Sequence, residues 1–283
     1  MTLSHTSATQ ESADLQPQRV SGAHGPAWYF PTISHEHGVY VILLVSFLTG
    51  AAAAQQWTLA TTVALVSVFA GFQAEHPWVL QIKQRRSWKP RLIIWGSLYS
   101  GLALGGALYL SLQVPGLQWL ILGAIAAFIL DAIAVFYRQQ KSIANELLTF
   151  AAACLAAPFA AVATTGTWSS TAWGLWLLNT LFFSSTIFSL KLRKLKNASF
   201  WPGLLYHSLA SAIIVGLWYG GILATLPAIA FGIVLVKFGA ILWQLEWYKT
   251  APIQAIARIE TISALLFLSL TALSLLPARL PLQ

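Results

Sequence analysis

The stretch "ISHEHGVYVILLVSFLTG" (residues 33–50) decides the fold class. Three polar residues, His35, Glu36 and His37, run directly into an apolar segment that contains no charged side chain and continues to residue 54. A helix needs about 20 mostly apolar residues to cross the hydrocarbon core of a bilayer. The segment therefore predicts a membrane-spanning helix with titratable groups at its start.

The composition extends this prediction to the whole chain. Of the 283 residues, 57% are hydrophobic and only 8% are charged, whereas about a quarter of the residues of soluble domains are charged. The apolar residues form long unbroken runs, which is typical of helices that satisfy their own backbone hydrogen bonds in lipid. We expect an all-α, multi-pass integral membrane protein, located in the cytoplasmic or another energy-transducing membrane, with the lipid bilayer as its partner.

The apolar runs divide the chain into nine predicted spans. The polar segment 1–30 is expected to be a disordered tail, and residues 31–283 to form one transmembrane domain. The predicted spans are 37–54, 57–80, 92–112, 116–137, 145–164, 168–190, 202–220, 222–245 and 257–276.

The gaps between spans alternate in charge. Lys and Arg concentrate in the second, fourth, sixth and eighth gaps, and the other four gaps hold none. Cytoplasmic loops are enriched in these residues, so the N-terminus is predicted to be cytoplasmic and the C-terminus to lie outside. Because membrane topology accounts for the formal charge of +8, we do not expect a nucleic acid partner.

With these directions, the costly polar residues share the cytoplasmic half of the membrane. Histidine and glutamate side chains are suited to acid–base chemistry, and the remaining groups to binding a substrate. The predicted catalytic residues are Glu36, His37, Glu75, His76 and His207. The predicted substrate-binding residues are Asp131, Arg138, Asn145, Glu146, Lys237 and Arg258.

Part of this pattern has a structural alternative. Asn145 is a plausible N-cap, and Glu146 and Glu260 would gain from the positive ends of their helix dipoles. Asp131 and Lys237 lie deeper and at similar depth, so we expect them either to pair or to line a wet cavity. A polar amide such as Asn179, near the middle of span six, is typically a contact between helices.

The metal-binding alternative is weak. His35 and His37 could reach one ion from extended backbone, but on a regular helix their rings would point apart. The chain has a single cysteine and no HExxH motif, so we predict no metal site. The cofactor, the substrate and the oligomeric state are left open by the sequence.

The motif in residues 34–50 resembles the opening of the YwiC-like membrane protein family. Glu36, His37 and Gly38 match a Glu-His-Gly run at the start of that family's first span, and the resemblance extends to "YRQQKSIANELLTFAAACLAAP" (residues 137–158). The resemblance implies a polytopic membrane protein but assigns no activity.

A looser, architectural resemblance is to UbiA-type prenyltransferases, which also have nine helices and a cytoplasm-facing site. Those enzymes hold a diphosphate through Mg²⁺ bound to two Asp-rich motifs. The corresponding stretches here are "FQAEHPWVLQ" and "KLRKLKNASF", with one acid and none. The usual magnesium mechanism is therefore not expected.

Three functions remain open from the sequence. The first is an enzyme acting on an isoprenoid or another amphipathic, lipid-like small molecule. The second is an ion- or proton-coupled transporter that uses the same residues, and the third is a non-catalytic assembly factor of a membrane complex. The scarcity of polar side chains in the outer half favours a one-sided, cytoplasm-facing site.

Overall fold

The computed structural model describes residues 29–85, 87–194 and 199–276, and this part of the chain is helical with no strand. Most of the predicted tail, residues 1–28, lies outside the described residues, as do residues 277–283. The helices are α1 (His37–Ala54), α2 (Leu59–Gln84), α3 (Pro90–Gln113), α4 (Leu117–Phe136), α5 (Ile143–Cys154), α6 (Ala156–Thr165), α7 (Ser170–Lys194), α8 (Trp201–Tyr219), α9 (Thr225–Ala230), α10 (Gly232–Trp243), α11 (Leu245–Thr250) and α12 (Ile253–Leu275).

The all-α, multi-pass fold is confirmed. Eight described segments are long and apolar enough to cross a membrane: α1, α3, α4, α5 with α6, α7, α8, α9 with α10, and α12. The remaining predicted span, 57–80, corresponds to α2, which is long enough at 26 residues. It is absent from the apolar set because Gln73, Glu75 and His76 make its second half polar.

Two of the predicted spans are each built from two helices. Pro158 has no N–H to donate to the carbonyl of Cys154, and the helix breaks at Leu155 between α5 and α6. A second break at Phe231 divides α9 from α10. The turn between α8 and α9 contains Gly221 at φ +68°, a backbone conformation that favours glycine.

The helix ends gather at two opposite faces of the bundle. At one, which we call the basic face, Arg91 Nε donates to Phe30 O (2.8 Å), and Lys191 Nζ donates to Lys141 O (3.2 Å). Arg193 donates to Tyr248 O at the same face (3.2 Å). The predicted assignment of this face to the cytoplasm stays a prediction.

The other face is held by uncharged contacts. Gln55 Nε2, just after α1, donates to Leu275 O at the end of α12 (2.9 Å). Thr61, in the first turn of α2, shares a 2.7 Å hydrogen bond with Thr164 at the end of α6. Because the other end of α2 reaches the basic face, where Arg85 donates to Phe136 O, α2 runs the length of the bundle.

Helix α1 is central and packs against α6, α7 and α12. A Cβ at Gly50 would collide with the backbone of Ala157, so only glycine allows α1 to lie this close to α6. Asn179 of α7 accepts from Ser46 (3.3 Å) and donates to Thr49 (3.0 Å). The prediction that Asn179 is an interhelical contact is confirmed.

Candidate functional site

The segment before α1 is tied to α2 by a ring of hydrogen bonds. The backbone N–H of Ser34 donates to Gln73 Oε1 (3.1 Å), and Gln73 Nε2 donates to the hydroxyl of Tyr40. That hydroxyl in turn donates to Ser34 O (3.1 Å). This ring brings the His35 ring edge-on to His76, with 6.4 Å between the ring centroids.

The three residues that begin the sequence motif lie at the surface of the basic face. His35, Glu36 and His37 are all exposed. Glu36 occupies the N-cap position of α1 but makes no capping bond with its side chain. Its carboxylate is therefore available to solvent, and the cost of placing these groups at a helix start is small.

Deeper in the bundle, α2 and α4 pack against each other, and each carries an acid. Glu75 is half-buried, and Asp131 is only 6% exposed. Asp131 and Glu36 both lie close enough to act electrostatically on Glu75, as does the cation Lys83. We call Glu75 and Asp131 the acid pair.

Asp131 is held by an amide rather than by a cation. Asn145 Nδ2 donates to Asp131 Oδ1 at 2.7 Å and also approaches Gln140 O at 3.3 Å. Among the described residues, no salt bridge includes Asp131. A buried acid with only a neutral hydrogen-bond partner is costly, which makes it a candidate for function.

The predicted N-cap role of Asn145 is wrong. Ser142 occupies the N-cap of α5 and accepts from the backbone N–H of Asn145 (3.2 Å). Asn145 is the third residue of the helix, where its side chain turns towards α4. Serine is among the strongest N-cap residues, which explains why the helix begins earlier than predicted.

Three of the predicted substrate-binding residues lie apart from the acid pair. Glu146 forms a 2.9 Å salt bridge with Lys191 of α7. Arg138 is exposed and adopts φ +60° after α4, and Arg258 is exposed on α12. No described hydrogen bond or salt bridge joins these residues to Glu75 or Asp131.

A second polar cluster lies in the other half of the bundle. Lys237 Nζ of α10 forms a 2.7 Å salt bridge with Glu260 Oε2 of α12. The same carboxylate oxygen accepts a 2.8 Å hydrogen bond from Thr186 of α7. We call Lys237, Glu260 and Thr186 the ion-pair cluster.

This arrangement corrects two predictions. Asp131 and Lys237 do not pair, because α4 packs on α2, α3 and α5 whereas α10 packs on α7 and α12. Two residues at equal depth along the membrane normal can still lie on opposite sides of the bundle, so equal depth alone does not predict a pair. Glu260 is not at a helix start either, since α12 begins seven residues earlier at Ile253, and its role is to neutralise Lys237.

His207 belongs with the second cluster. Its ring is 3% exposed and stacks on Phe238, with 4.0 Å between centroids. Its Nδ1 lies 2.6 Å from Gly203 O, and its Nε2 has no hydrogen-bond partner within the described residues. The structure thus brings together Glu36, Glu75, His76 and Asp131 of the predicted site, but not His207 or Lys237.

The hydroxyl groups of Tyr40 and Thr186, which bond within the two clusters, were not predicted from the sequence. Single hydroxyl groups give no distinctive sequence signal. Lys237 and Glu260 did give a sequence signal, because they are opposite charges at similar depth in consecutive antiparallel spans. In the described ranges, no group of three or more His, Cys, Asp or Glu side chains could hold a metal ion.

Fold and site together define a polytopic α-helical membrane protein with a polar cluster near its basic face. Residues 33–161 match the family model described as YwiC-like protein, so the resemblance read from the first-span motif is confirmed over this region. Neither curated proteins nor solved structures gave a match. The looser resemblance to UbiA-type prenyltransferases is supported by none of these comparisons.

Proposed function

We propose that this protein is a membrane-embedded enzyme that acts on an amphipathic, isoprenoid- or lipid-like substrate through acid–base chemistry at Glu75 and Asp131. The acid pair carries the proposal. Two neighbouring carboxyl groups suit general acid–base catalysis, since one can donate a proton while the other accepts one. Asn145 acts as a positioning residue by fixing the carboxyl group of Asp131 at 2.7 Å.

A graded series of titratable groups supports proton exchange with the solvent at the basic face. Glu36, His35 and His37 are exposed, His76 and Glu75 are half-buried, and Asp131 is buried. Farther from the basic face, Ser46, Thr49 and Asn179 bond to one another. A series that is open at one side favours an enzyme over a transporter, which would need access from both sides.

An apolar groove beside the acid pair supports an amphipathic substrate. It measures about 470 Å³ and lies between α2 and α4, where Ile82, Phe128 and Ala132 contribute to its wall. Ile82 follows Glu75 by seven residues and Phe128 precedes Asp131 by three, so each shares a helix face with its acid. An apolar tail in this groove would place a polar head near the acid pair.

The test is a comparison of membrane extracts. A deletion strain is complemented with the wild-type protein, with Glu75→Gln or with the matched control Glu246→Gln. Glu246 is exposed and paired only along its own helix, with Lys249 at 3.2 Å. We expect a lipid-soluble product to disappear, and its precursor to accumulate, in the deletion strain and in Glu75→Gln but not in Glu246→Gln.

The alternatives give different results in the same strains. A transporter would leave lipid composition intact and change an ion gradient or the uptake of a solute in the Glu75→Gln strain. An assembly factor would be insensitive to Glu75→Gln provided that the variant accumulates normally in membranes. Either result would overturn the enzymatic proposal.

A further inference from the structure

A cavity of about 510 Å³ lies between α10, α11 and α12, away from the acid pair. Its volume falls within the range of small-molecule sites. Most of its wall is apolar, and four polar residues contribute to it: Lys237, Gln244, Tyr248 and Ser263. None of the chemistry proposed for Glu75 and Asp131 involves this cavity.

One polar group in the cavity wall lacks a partner. Tyr248 is 1% exposed, and its hydroxyl makes no hydrogen bond to any described residue. Burial raises the pKa of Tyr248, so the hydroxyl keeps its proton and can donate it. A buried hydroxyl without a partner is costly unless a bound molecule supplies one.

The charge at this end of the cavity is balanced within the protein. Lys237 Nζ donates to Glu260 at 2.7 Å, and an ammonium group has two further hydrogens to donate. Because Glu260 neutralises Lys237, an anionic or cationic head group gains little here. The free donors of Lys237 and Tyr248 favour an uncharged ligand group that accepts hydrogen bonds.

The position of the cavity favours a ligand that arrives from the membrane. Val236 and Leu266 contribute to its wall and are exposed on the outside of the bundle. In a bilayer, these side chains of α10 and α12 face hydrocarbon. Trp243 and Trp247, also exposed, mark the interfacial depth near the polar end.

We propose that the α10–α12 cavity binds an uncharged amphipathic molecule whose carbonyl head accepts hydrogen bonds from Lys237 and Tyr248 and whose apolar tail lies along α10 and α12. Two membrane components offer this chemistry: a quinone head and the ester carbonyl of an acylglycerol. The site is separate from the acid pair and does not depend on the proposed catalytic activity.

The full-length protein in phosphatidylcholine nanodiscs provides the test. Equilibrium dialysis against empty nanodiscs measures the binding of two probes, decylbenzoquinone and dioctanoylglycerol. Tyr248→Phe removes only the unpartnered hydroxyl. We expect about 3- to 10-fold weaker binding, because the complex loses one hydrogen bond. The unfolding temperature without ligand should stay the same or rise, whereas a structural role of the hydroxyl would lower it.

Two further variants complete the design. Ala240→Leu adds bulk inside the cavity at an exposed position, so it should abolish binding without disturbing the core. The matched control is Tyr219→Phe, since Tyr219 is 89% exposed at the end of α8, and it should bind like the wild type.

Binding of either probe with this dependence on the variants supports the site and identifies the carbonyl source, quinone or ester. The proposal is overturned if neither probe binds above the level of empty nanodiscs. It is equally overturned if Tyr248→Phe and Ala240→Leu bind as the wild type does, because bulk lipid would then fill the cavity.

Discussion

The acid pair and the ion-pair cluster differ in how their charge is balanced. Lys237 meets Glu260 at 2.7 Å with Thr186 as an additional donor, so this cluster is neutral as a whole. Asp131 receives only the amide of Asn145 and has Glu75 nearby. A pair of opposite charges can serve to hold helices together, whereas the acid pair has only Lys83 as a cation within electrostatic range of Glu75, and we propose that it serves function.

Asp131→Asn separates the two regions most sharply. The asparagine keeps the size of the side chain and its hydrogen bond to Asn145, so we expect normal accumulation in membranes. The rate of product formation by isolated membranes should fall by about 10²- to 10⁴-fold, as for the loss of a general acid or base. A loss of folded protein in place of a loss of activity would assign Asp131 to structure.

Lys237→Met should lower the stability of the protein, in contrast to Asp131→Asn, which should lower its activity. It leaves Glu260, whose side chain is about a quarter exposed, without a counter-ion, so we expect a loss of about 2–3 kcal/mol, less than the roughly 3–5 kcal/mol of a fully buried pair. Unfolding in detergent measures the loss. The double variant Lys237→Met with Glu260→Leu should recover much of this stability, and a double variant no more stable than the single one would contradict the pairing.

Asn145→Leu tests the support of the acid pair. The variant removes the donor to Asp131 while nearly preserving volume, so the carboxyl group loses its hydrogen bond. We expect a loss of about 1–3 kcal/mol in the free energy of unfolding. Combining it with Asp131→Leu should restore much of the stability, since the buried carboxyl group is then gone and only the carbonyl of Gln140 has lost a donor. No recovery in the double variant would argue against this hydrogen bond.

Lys191→Gln should have the smallest effect. The salt bridge between Lys191 and Glu146 lies near the basic face with both side chains about a quarter exposed. Such pairs contribute about 0–1 kcal/mol. Unfolding at low and high salt should show a small difference that shrinks with ionic strength, and a loss as large as that of Lys237→Met would contradict the comparison.

The sequence predicted the fold better than the site. Unbroken apolar runs predicted the spans because every residue inside the bilayer faces the same apolar solvent. The alternating Lys- and Arg-rich gaps correspond to the helix ends found at the basic face. The roles of the site residues stay predictions, and their grouping was predicted less well than the fold because it used depth alone. Depth placed His207 and Lys237 beside Glu75, but α8, which carries His207, packs on α7 and α9, and α10, which carries Lys237, packs on α7 and α12.

By itself, the sequence determined that this protein is a multi-pass helical membrane protein, because each residue that faces the bilayer core must be apolar and this requirement is visible in the sequence. It also determined that titratable groups gather near one face. The tertiary structure decided how the groups are distributed: Lys237 pairs with Glu260, and Glu75 lies within electrostatic range of Asp131. The position of a helix around the bundle depends on contacts between distant segments, such as Gly50 against Ala157, and no local pattern encodes it.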